Sequence, residues 1–542
     1  MHLRTLRPVE ALDNARVAAT LDEYAALLEL AGATSFSSRA YRRAAELIRT
    51  LPVPVLELAR AGRVRELRGI GPGIEARLRE LAESGRIAEL EELRARSSPE
   101  LAALGRMLGF GAKLGAAIGS TLGITTPEEL REAVNQGRLR EVPGIGPRTE
   151  AKIKQALERD QLSPSKPLLL NRAKALTERI ADALGGVPAG DARRWKDASD
   201  RLAVVVVTDR PDEIRARFAA LAEIVLVQGD VGVTLEGTPV ALVLAAPDLL
   251  GTALVRATGS EEYVQTLEPL PEAPDEEAVY ERLGLPYLPP ELRELPAPTE
   301  PPQLVEVADV RGDLHCHTTW SDGRASVLEM GRAARDRGYD YLAICDHTRN
   351  VRVVPGLDAD ELRRQGEEIA AANELLAPFR ILRGTECDIL PDGRLDLPDD
   401  VLAELEWVQL SLHAGQRAPR RELTARVTDA MRHPTVRCLS HPTGRLIGHR
   451  PENALDLERT IETALETGVA LEVNGLPDRL DLRDAHVRVA IEAGIKITCS
   501  TDAHSIAGLN NMALSVHTAR RGRAGTADVL NTRPLDDVLG RK

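Results

Sequence analysis

The sequence predicts a multidomain protein with an all-α front, an α+β middle and an α/β barrel at the back. Three observations predict this organisation. The chain has 542 residues, more than one ordinary core accommodates. Short amphipathic helical patterns separated by Gly-rich turns fill residues 1–160. Beyond residue 308, apolar runs of strand length alternate with helical patterns, which is typical of parallel β/α units closing into a barrel.

The helical front contains an internal repeat. Residues 67–74 and 142–149 share the sequence Gly-Ile-Gly-Pro and each leads into a helical pattern, and residues 108–113 form a looser third copy. A Gly-x-Gly turn lets the backbone approach a phosphate closely, and the free amides of the following helix attract that anion. A single turn of this kind is usually only a turn. The repetition favours contacts with the phosphates of the DNA backbone, which do not depend on base sequence.

The composition constrains the partner and the compartment. The net charge is −13, but residues 1–160 hold 25 Lys and Arg against 22 Asp and Glu, and the remainder holds 45 against 61. The slightly basic front is therefore the part suited to DNA. No apolar stretch is long enough to span a bilayer and the N-terminus lacks a signal-peptide core, so we expect a cytoplasmic protein and a monomer without a membrane partner.

The middle of the chain, residues 166–265, changes to a helix-and-strand pattern in which residues 202–208 and 240–246 are apolar strands. Residues 266–307 follow, with a Pro-rich stretch from 285 to 302 whose composition predicts a linker. The five cysteines all lie inside or beside apolar runs of the last part of the chain, which predicts buried thiols and no disulfide framework.

The last part, residues 308–542, places a metal-binding side chain at the end of each predicted strand. The strands are residues 341–345, 380–383, 407–412, 436–440, 469–473 and 495–500, preceded by one around residue 315. In a β/α barrel the chemistry lies at this end of the strands. The side chains in question are His315, His317, Asp322, His347, Glu386, His413, His441, Asp502 and His504.

Nine such residues at successive strand ends indicate a metal centre, although a lone histidine is more often structural. His2, His433, His449, His486 and His517 lie elsewhere and keep that structural interpretation. Imidazole and carboxylate together suit Zn, Mn or Fe, and the lack of thiolates among the nine argues against a zinc finger. Several ions in one cradle favour hydrolysis of phosphate esters, because one ion activates water while its neighbours hold the phosphoryl oxygens.

This constellation resembles the PHP (polymerase and histidinol phosphatase) family over roughly residues 309–522. The resemblance implies a distorted seven-stranded (β/α)7 barrel with three divalent ions. It assigns His315, His317, Glu386 and Asp502 to the first ion and to catalysis, with Glu386 bridging to a second ion held by His413 and His441. Asp322, His347 and His504 would hold the third. The segments His441–Arg445 and Glu472–Asn474 resemble family elements at the rim, with Arg445 a candidate phosphate contact.

The front resembles helix-hairpin-helix elements, and with residues 39–45 it is similar to the N-terminal region of bacterial family X DNA polymerases. That family joins such a module to a nucleotidyltransferase palm and then to a PHP domain. The resemblance implies a helical domain at 1–160, a palm at 166–265, a shortened thumb and linker at 266–307 and a PHP domain at 308–542. The implied DNA contacts are Gly69, Gly71, Gly73, Gly109, Gly111, Gly144, Gly146, Arg148 and Arg445.

The palm departs from the family pattern at its metal ligands. Gly190–Arg194 matches the start of the Gly-Ser, Arg-Arg, Asp-x-Asp motif, but Arg201 and Ala203 stand where two aspartates belong, and Ala241 stands at the third. Asp197, Asp200, Asp209 and Asp212 lie nearby, and a slip of one residue would make only Asp200 a ligand. Because an Arg places positive charge where cations must sit, we expect no Mg in this palm.

Four functions fit these patterns to different degrees. The leading prediction is a DNA-repair enzyme that uses Mn or Zn to remove nucleotides from 3′ ends as a 3′-5′ exonuclease, or that incises DNA at lesions. A gap-filling DNA polymerase is opposed by Arg201, Ala203 and Ala241. A small-molecule phosphatase would not need the hairpin repeats. A non-catalytic DNA scaffold would not need the complete set of metal ligands.

Overall fold

The computed structural model describes residues 14–30, 35–49, 54–67, 69–96, 103, 112–124, 127–157, 167–234, 236–351 and 354–540. The backbone divides into two compact units. The first unit comprises residues 1–168, 176–190 and 200–257, and the second comprises residues 169–175, 191–199 and 258–542. None of the described helices combines the length and apolar content that a membrane crossing requires.

The elements follow the predicted change from helices to mixed and then alternating structure. The described strands are, in chain order, β1 Leu168–Leu169, β2 Val187–Ala189, β3 Ala198–Ser199, β4 Leu202–Val207, β5 Ile224–Gln228, β6 Val231–Thr234, β7 Pro239–Ala245, β8 Gly312–Cys316, β9 Tyr341–Ile344, β10 Arg380–Asp388, β11 Trp407–Ser411, β12 Val436–Leu439, β13 Ala470–Asn474 and β14 Ile497–Ser500. The described α-helices before the barrel are Asn14–Leu30, Ser35–Arg49, Val55–Arg60, Pro72–Ser84, Ala88–Arg96, Ala112–Leu122, Pro127–Asn135, Pro147–Leu157, Leu170–Leu184, Gly190–Arg193, Pro211–Ala219, Leu250–Thr258, Glu261–Leu267 and Glu276–Leu283. Those within and after it are Val327–Arg335, Ala359–Leu376, Asp399–Ala403, Arg420–Met431, Leu457–Thr467, Asp484–Glu492, Met512–Arg521 and Leu535–Leu539.

The front of the first unit is helical, with two separate apolar cores. One core lies under the first hairpin and includes Leu21, Ile48 and Leu78, all fully buried. The other lies under the second hairpin and includes Leu139 and Ile153. The helix Pro72–Ser84 begins with proline at its first turn, where no amide donor is lost, and ends at Gly85 in the left-handed conformation.

The rest of the first unit is a five-stranded mixed sheet in the order β2-β4-β7-β6-β5. Strands β4 and β7 pair in parallel with Ala203 opposite Ala241, while β6 pairs antiparallel to β7. The near-continuous apolar run of β4 is buried at five of its six positions. This sheet is the α+β middle that the sequence predicts.

The second unit is built around seven parallel strands in the order β8 to β14. A bridge between Cys316 and Ala503 and a hydrogen bond from the His317 amide to the Ala503 carbonyl (2.9 Å) nearly close the barrel. Strands β8, β9, β11, β13 and β14 are buried at every position because both faces of the sheet are covered. The predicted PHP-type (β/α)7 barrel is confirmed.

Strand β10 is longer than its predicted extent of residues 380–383. Gly384 permits this continuation, because a Cβ there would lie 2.7 Å from the Ile344 carbonyl oxygen and 2.9 Å from that of Trp407. The backbone of β10 therefore passes closely between β9 and β11. As a result Glu386 lies within the strand and not in the loop after it.

The five thiols are all buried and free, as predicted. The Pro-rich stretch, by contrast, does more than its composition suggests. Leu288, Glu291 and Leu292 are buried, and Glu291 accepts hydrogen bonds from His517 (2.9 Å) and Arg520 (2.8 Å). Composition could not reveal this packing, since the partners lie more than two hundred residues further along the chain.

Candidate metal centre

The nine predicted side chains meet at the carboxyl-end mouth of the barrel. His315 and Glu386 project from β8 and β10, and the others come from segments that directly follow strands. His317 Nε2 lies 3.1 Å from both His315 Nε2 and Asp502 Oδ1. Parallel strands bring their carboxyl ends together at one edge, which is why residues so distant in sequence converge.

Three overlapping groups of side chains within this mouth could each hold an ion. They are His315 with His317 and Asp502; His317 with Asp322, His347 and His504; and His347 with Glu386 and His413. Within each group the potential ligand atoms lie within 4.8 Å of one another. The grouping differs in detail from the one implied by resemblance, because His317 and His347 each belong to two groups.

Glu386 lies at the centre of the cluster and is 1% exposed. Its Oε1 is 2.8 Å from His441 Nε2 and 3.6 Å from His413 Nε2. Its Oε2 is 2.8 Å from His347 Nδ1 and 3.6 Å from His315 Nε2. The two carboxylate oxygens thus face different imidazoles, an arrangement that suits a bridging ligand.

Glu472 lies buried behind His315, not at the rim as the sequence analysis expected. His315 Nδ1 donates to its carboxylate (2.6 Å), as do the His441 amide (2.7 Å) and Gln409 Nε2 (2.8 Å). Since Nδ1 of His315 carries the proton, Nε2 presents its lone pair to the mouth. The rim position was wrong because Glu472 lies inside β13, where its side chain points into the barrel.

Asp388 supports His413 in the same way and was not identified from the sequence. His413 Nδ1 lies 2.9 Å from Asp388 Oδ1 and donates to that carboxylate. The sequence could have indicated this role. Asp388 follows the predicted ligand Glu386 by two residues, and side chains two apart on a strand project from the same face. Polar residues inside apolar strands, such as Gln409, carry the same signal.

Two ligands adopt a backbone conformation that non-glycine residues rarely adopt. The φ angles of His441 and Asp502 are 26° and 51°. Hydrogen bonds hold both: the His441 amide donates to Glu472, and the Asp502 side chain accepts from Asn474 Nδ2 at 2.9 Å. Such strain, on the order of 1–3 kcal/mol per residue, is typical of functional sites.

The donors present fit a cluster of divalent ions. Among the described residues, Nδ1 of His317 and Nδ1 of His347 are buried without a hydrogen-bond partner, the latter despite lying 2.8 Å from Glu386. Burial and the imidazoles of His504 and His347 lower the pKa of His317 to about 4. Burial works against ionisation of Glu386 and Asp502, but the surrounding imidazoles hold the pKa of each well below its usual range. Although burial opposes it, the carboxylates around them raise the pKa of His315, His347 and His504, the last to about 9. Neutral imidazole and ionised carboxylate are the forms that bind metal, so ion binding would displace protons from these three rings.

Arg445 does not have the role expected from the sequence. Its guanidinium donates to Asp197 Oδ2 (2.8 Å) and to the carbonyl oxygens of Arg479 (2.8 Å) and Leu480 (2.6 Å), and the side chain is 8% exposed. These bonds use three of the five guanidinium N–H groups and hold the side chain in the interior of the fold. Arg445 therefore stabilises the fold next to the site, with Asp197 as its ion-pair partner.

The two close hairpin copies match residue by residue. The first glycine of each, Gly69 and Gly144, has a positive φ of 103° and 89°. The isoleucine that follows each is buried, and its amide donates to the residue three before it at 3.1 Å. The second glycine of each, Gly71 and Gly146, has an ordinary φ, and a Cβ added there meets no described atom within 4 Å. The second glycine thus keeps the helix N-terminus open to a ligand.

The remaining predicted hairpin residues fall into three groups. Gly73 packs near Tyr41, whose Oη would lie 3.7 Å from an added Cβ. Arg148 is exposed in the first turn of the helix Pro147–Leu157 and makes no ion pair with the described residues. Gly109 and Gly111, in the looser third copy, lie outside the described residues.

The three departing palm positions lie on the mixed sheet of the first unit. Ala203 and Ala241 are opposite each other on adjacent strands, and both pack with Val205, Val243 and Leu254 in an apolar cluster. Arg201 is exposed just before β4. The surroundings of this alanine pair thus offer apolar contact and no carboxylate from either strand.

Comparison with protein-family models and with characterised proteins agrees with this architecture. A helix-hairpin-helix domain model matches residues 12–87, and a model of a SAM-like helix-hairpin-helix tandem matches residues 103–159. The protein named DNA polymerase/3′-5′ exonuclease PolX of Bacillus subtilis is 35% identical, over 96% of this chain and 97% of that protein.

The barrel alone is similar to smaller proteins. A probable phosphatase of Acetivibrio thermocellus is 29% identical over 35% of this chain and 78% of its own length. One from Aliivibrio fischeri is 28% identical over 38% of this chain and 82% of its own length. Sequences similar to the barrel region of this chain thus occur in proteins about half its length.

Proposed function

Because the chain belongs to the bacterial family X DNA polymerases that carry a C-terminal PHP domain, we propose that it removes nucleotides from the 3′ ends of DNA by metal-dependent hydrolysis. The observation that carries this proposal is the convergence of six imidazoles and three carboxylates in one buried mouth. The name of the Bacillus subtilis relative, which includes a 3′-5′ exonuclease activity, supports the direction.

The ions in this proposal are Mn or Zn, held by the nine side chains. Divalent ions bound there supply Lewis acidity toward a phosphoryl oxygen. The protein contributes orientation: Glu472 fixes the ring of His315, and Asp388 fixes that of His413. Burial of Glu386 among four histidines holds it as the carboxylate that links neighbouring ion positions.

DNA, not a small phosphate ester, is the proposed substrate. The hairpin glycines Gly71 and Gly146 leave helix N-termini open, which suits contact with backbone phosphates. The probable phosphatases share only about a third of this chain, the part without hairpins. The helical front is therefore what distinguishes this protein from a small-molecule phosphatase.

We propose further that the palm does not polymerise. Two Mg ions need carboxylates on adjacent strands, and the facing positions are Ala203 and Ala241 within an apolar cluster. The exposed guanidinium of Arg201 adds positive charge at the first of the three aspartate positions.

The arginines of the Gly190–Arg194 motif support the same conclusion. Arg193 forms a two-pronged ion pair with the buried carboxylate of Glu276, at 2.8 Å and 2.6 Å. Arg194 donates to Glu294 (2.8 Å), to Asp191 and to the Thr258 carbonyl. Guanidiniums are the side chains best suited to hold a triphosphate, and both of these are bonded internally.

The decisive experiment uses purified full-length protein, a 5′-labelled primer-template and Mn, with and without dNTPs. We expect shortening of the primer under both conditions, and loss of shortening in His315→Ala and Glu386→Ala. The control is His433→Ala, since His433 precedes β12 at the opposite end of the barrel. Primer extension that needs dNTPs and survives Glu386→Ala would instead establish the polymerase, the second candidate that the relative's name supports.

A further inference from the structure

An arginine lies against the metal centre with donor capacity left over. Arg479 Nε is 3.8 Å from Asp502 Oδ2, and the side chain is 17% exposed. Its Nη1 is buried and has no hydrogen-bond partner among the described residues. A buried guanidinium nitrogen without an acceptor is destabilising unless a ligand completes it.

Two more arginines lie on loops near this side of the mouth. Arg450 is half-buried and its Nε donates to the Gly444 carbonyl (2.8 Å), and Arg417 is exposed on the loop after His413. Neither forms an ion pair within the described part of the chain. Burial and the nearby cations Arg479 and Arg417 lower the pKa of the Arg450 guanidinium against the opposing effect of Asp481, so Arg450 lies near both of the other arginines.

The loops around these arginines contain further polar atoms without partners. Oγ1 of Thr443 and Oε1 of Gln416 are buried and unbonded within the described residues, and both belong to segments that follow ligands of the metal centre. Gln416 packs against Gly444, where an added Cβ would lie 3.0 Å from its Oε1. Thr443 and Gln416 thus lie beside Gly444, whose carbonyl also binds Arg450, and the Thr443 hydroxyl is the one of the two unbonded groups that can donate.

Several arginines in this unit pair closely with carboxylates. Arg445 pairs with Asp197, Arg520 with Glu291, and Arg521 with Asp484. Of Arg479, Arg450 and Arg417, by contrast, only Arg479 forms an ion pair with a described residue, a long one to Asp502 at 3.8 Å. Neighbouring like charges with so little compensation are destabilising by themselves. It becomes favourable when an anion with regularly spaced charges lies along it.

We infer that Arg479, Arg450 and Arg417 form a phosphate track that guides a DNA strand into the metal centre. Arg479 contacts the scissile phosphate beside Asp502, and the outer pair contacts an adjoining phosphate of the same strand. This inference rests on the proposed function, since it names residues that bind the substrate of that site. The track would also explain a preference for DNA over small phosphate esters, because a substrate with one phosphate cannot contact Arg450 and Arg417 as well as Arg479.

The kinetic test compares two substrates in Mn: a thymidine oligonucleotide and the p-nitrophenyl ester of thymidine 5′-monophosphate. We expect Arg479→Gln to lower kcat/KM about tenfold or more on both, with partial recovery in Arg479→Lys. For Arg450→Gln and Arg417→Gln, the loss on the oligonucleotide should clearly exceed that on the ester. Arg437→Gln is the matched control, an exposed arginine at the amino end of β12.

A binding test separates this inference from the proposed function. Fluorescence anisotropy with a labelled phosphorothioate thymidine tetranucleotide measures affinity of the full chain over a range of salt concentrations. Each arginine removed from the track should reduce the salt slope of the logarithmic association constant by about 0.7. Unchanged slopes and unchanged oligonucleotide KM in all three variants would overturn the track while leaving the exonuclease intact. Reduced slopes in a protein that shows no hydrolysis would support the track and refute the exonuclease.

Discussion

At the scale of single residues, the candidate metal centre includes buried carboxylates that hold its histidines in place. Glu472 accepts hydrogen bonds from His315, from Gln409 and from the His441 amide. Gln409 is itself fixed, because Trp407 Nε1 donates to its Oε1 at 3.0 Å. One carboxylate therefore sets the orientation of two ligands on different strands.

Replacing Glu472 should weaken the metal centre without unfolding the barrel. Glu472→Gln keeps the shape of the side chain but removes the charge that orients His315, so we expect metal affinity to fall about 10- to 100-fold. Competition with a chromogenic chelator measures that affinity. Glu404→Gln, a surface carboxylate paired with Arg363, is the control and should match the wild type. Equal metal affinity in both variants would mean that the hydrogen bond to His315 contributes nothing.

At the scale of elements, the two glycines of each Gly-Ile-Gly-Pro hairpin have different roles. Gly144 adopts a φ that side chains disfavour, whereas Gly146 has an ordinary φ and open space at its Cβ. The first glycine is needed for folding of the turn, and the second leaves room for a ligand. This division could not be read from the sequence, where both are simply glycine.

Valine substitutions at the two positions should therefore have opposite consequences. Gly146→Val should weaken binding of duplex DNA while its Tm equals that of the wild type, because the side chain points into open space. Gly144→Val should lower the free energy of unfolding by on the order of 1–3 kcal/mol through strain at a positive φ. Calorimetry and anisotropy on the same preparations measure both. A large fall in Tm for Gly146→Val would show that the residue supports the fold.

Sequence reasoning succeeded for elements whose pattern is local. The apolar runs 407–412 and 495–500 became strands β11 and β14, and the ligands at their ends came together because parallel strands share an edge. It failed where the partner is remote. The pairing of Arg445 with Asp197 spans 248 residues, and Glu472 lies behind His315 at a separation of 157. No periodicity records such contacts, so the roles of these residues required the structure.

At the scale of the whole molecule, the proposed hydrolysis takes place in the second unit, whereas the mixed sheet of the first unit has no proposed catalytic activity. The sheet is nevertheless well packed: Ala203 and Ala241 belong to a continuous apolar cluster. Removal of carboxylates from such positions favours the fold, since buried charges are stabilising only when paired.

Restoring the aspartates should therefore destabilise the protein. The combined variant Arg201→Asp, Ala203→Asp and Ala241→Asp places two carboxylates on facing positions of β4 and β7, and we expect a loss of several kcal/mol in urea unfolding without metal. Mg at millimolar concentration should recover little of it. Full recovery by Mg, together with primer extension, would contradict the proposal that this palm has lost its chemistry.

If the palm has lost its chemistry as proposed, the ion pairs of Arg193 and Arg194 disfavour a return of nucleotide binding. Glu276 and Glu294 each have two arginine partners, Arg193 and Arg293 for the first and Arg194 and Arg521 for the second. Returning Arg193 and Arg194 to a nucleotide would remove one partner from each carboxylate, and that of Glu276 is almost fully buried. A return to nucleotide binding would therefore weaken both clusters, even with an aspartate at every palm position. Under the proposed loss of palm chemistry, the barrel in descendants of this chain is freer to change than the palm is to recover.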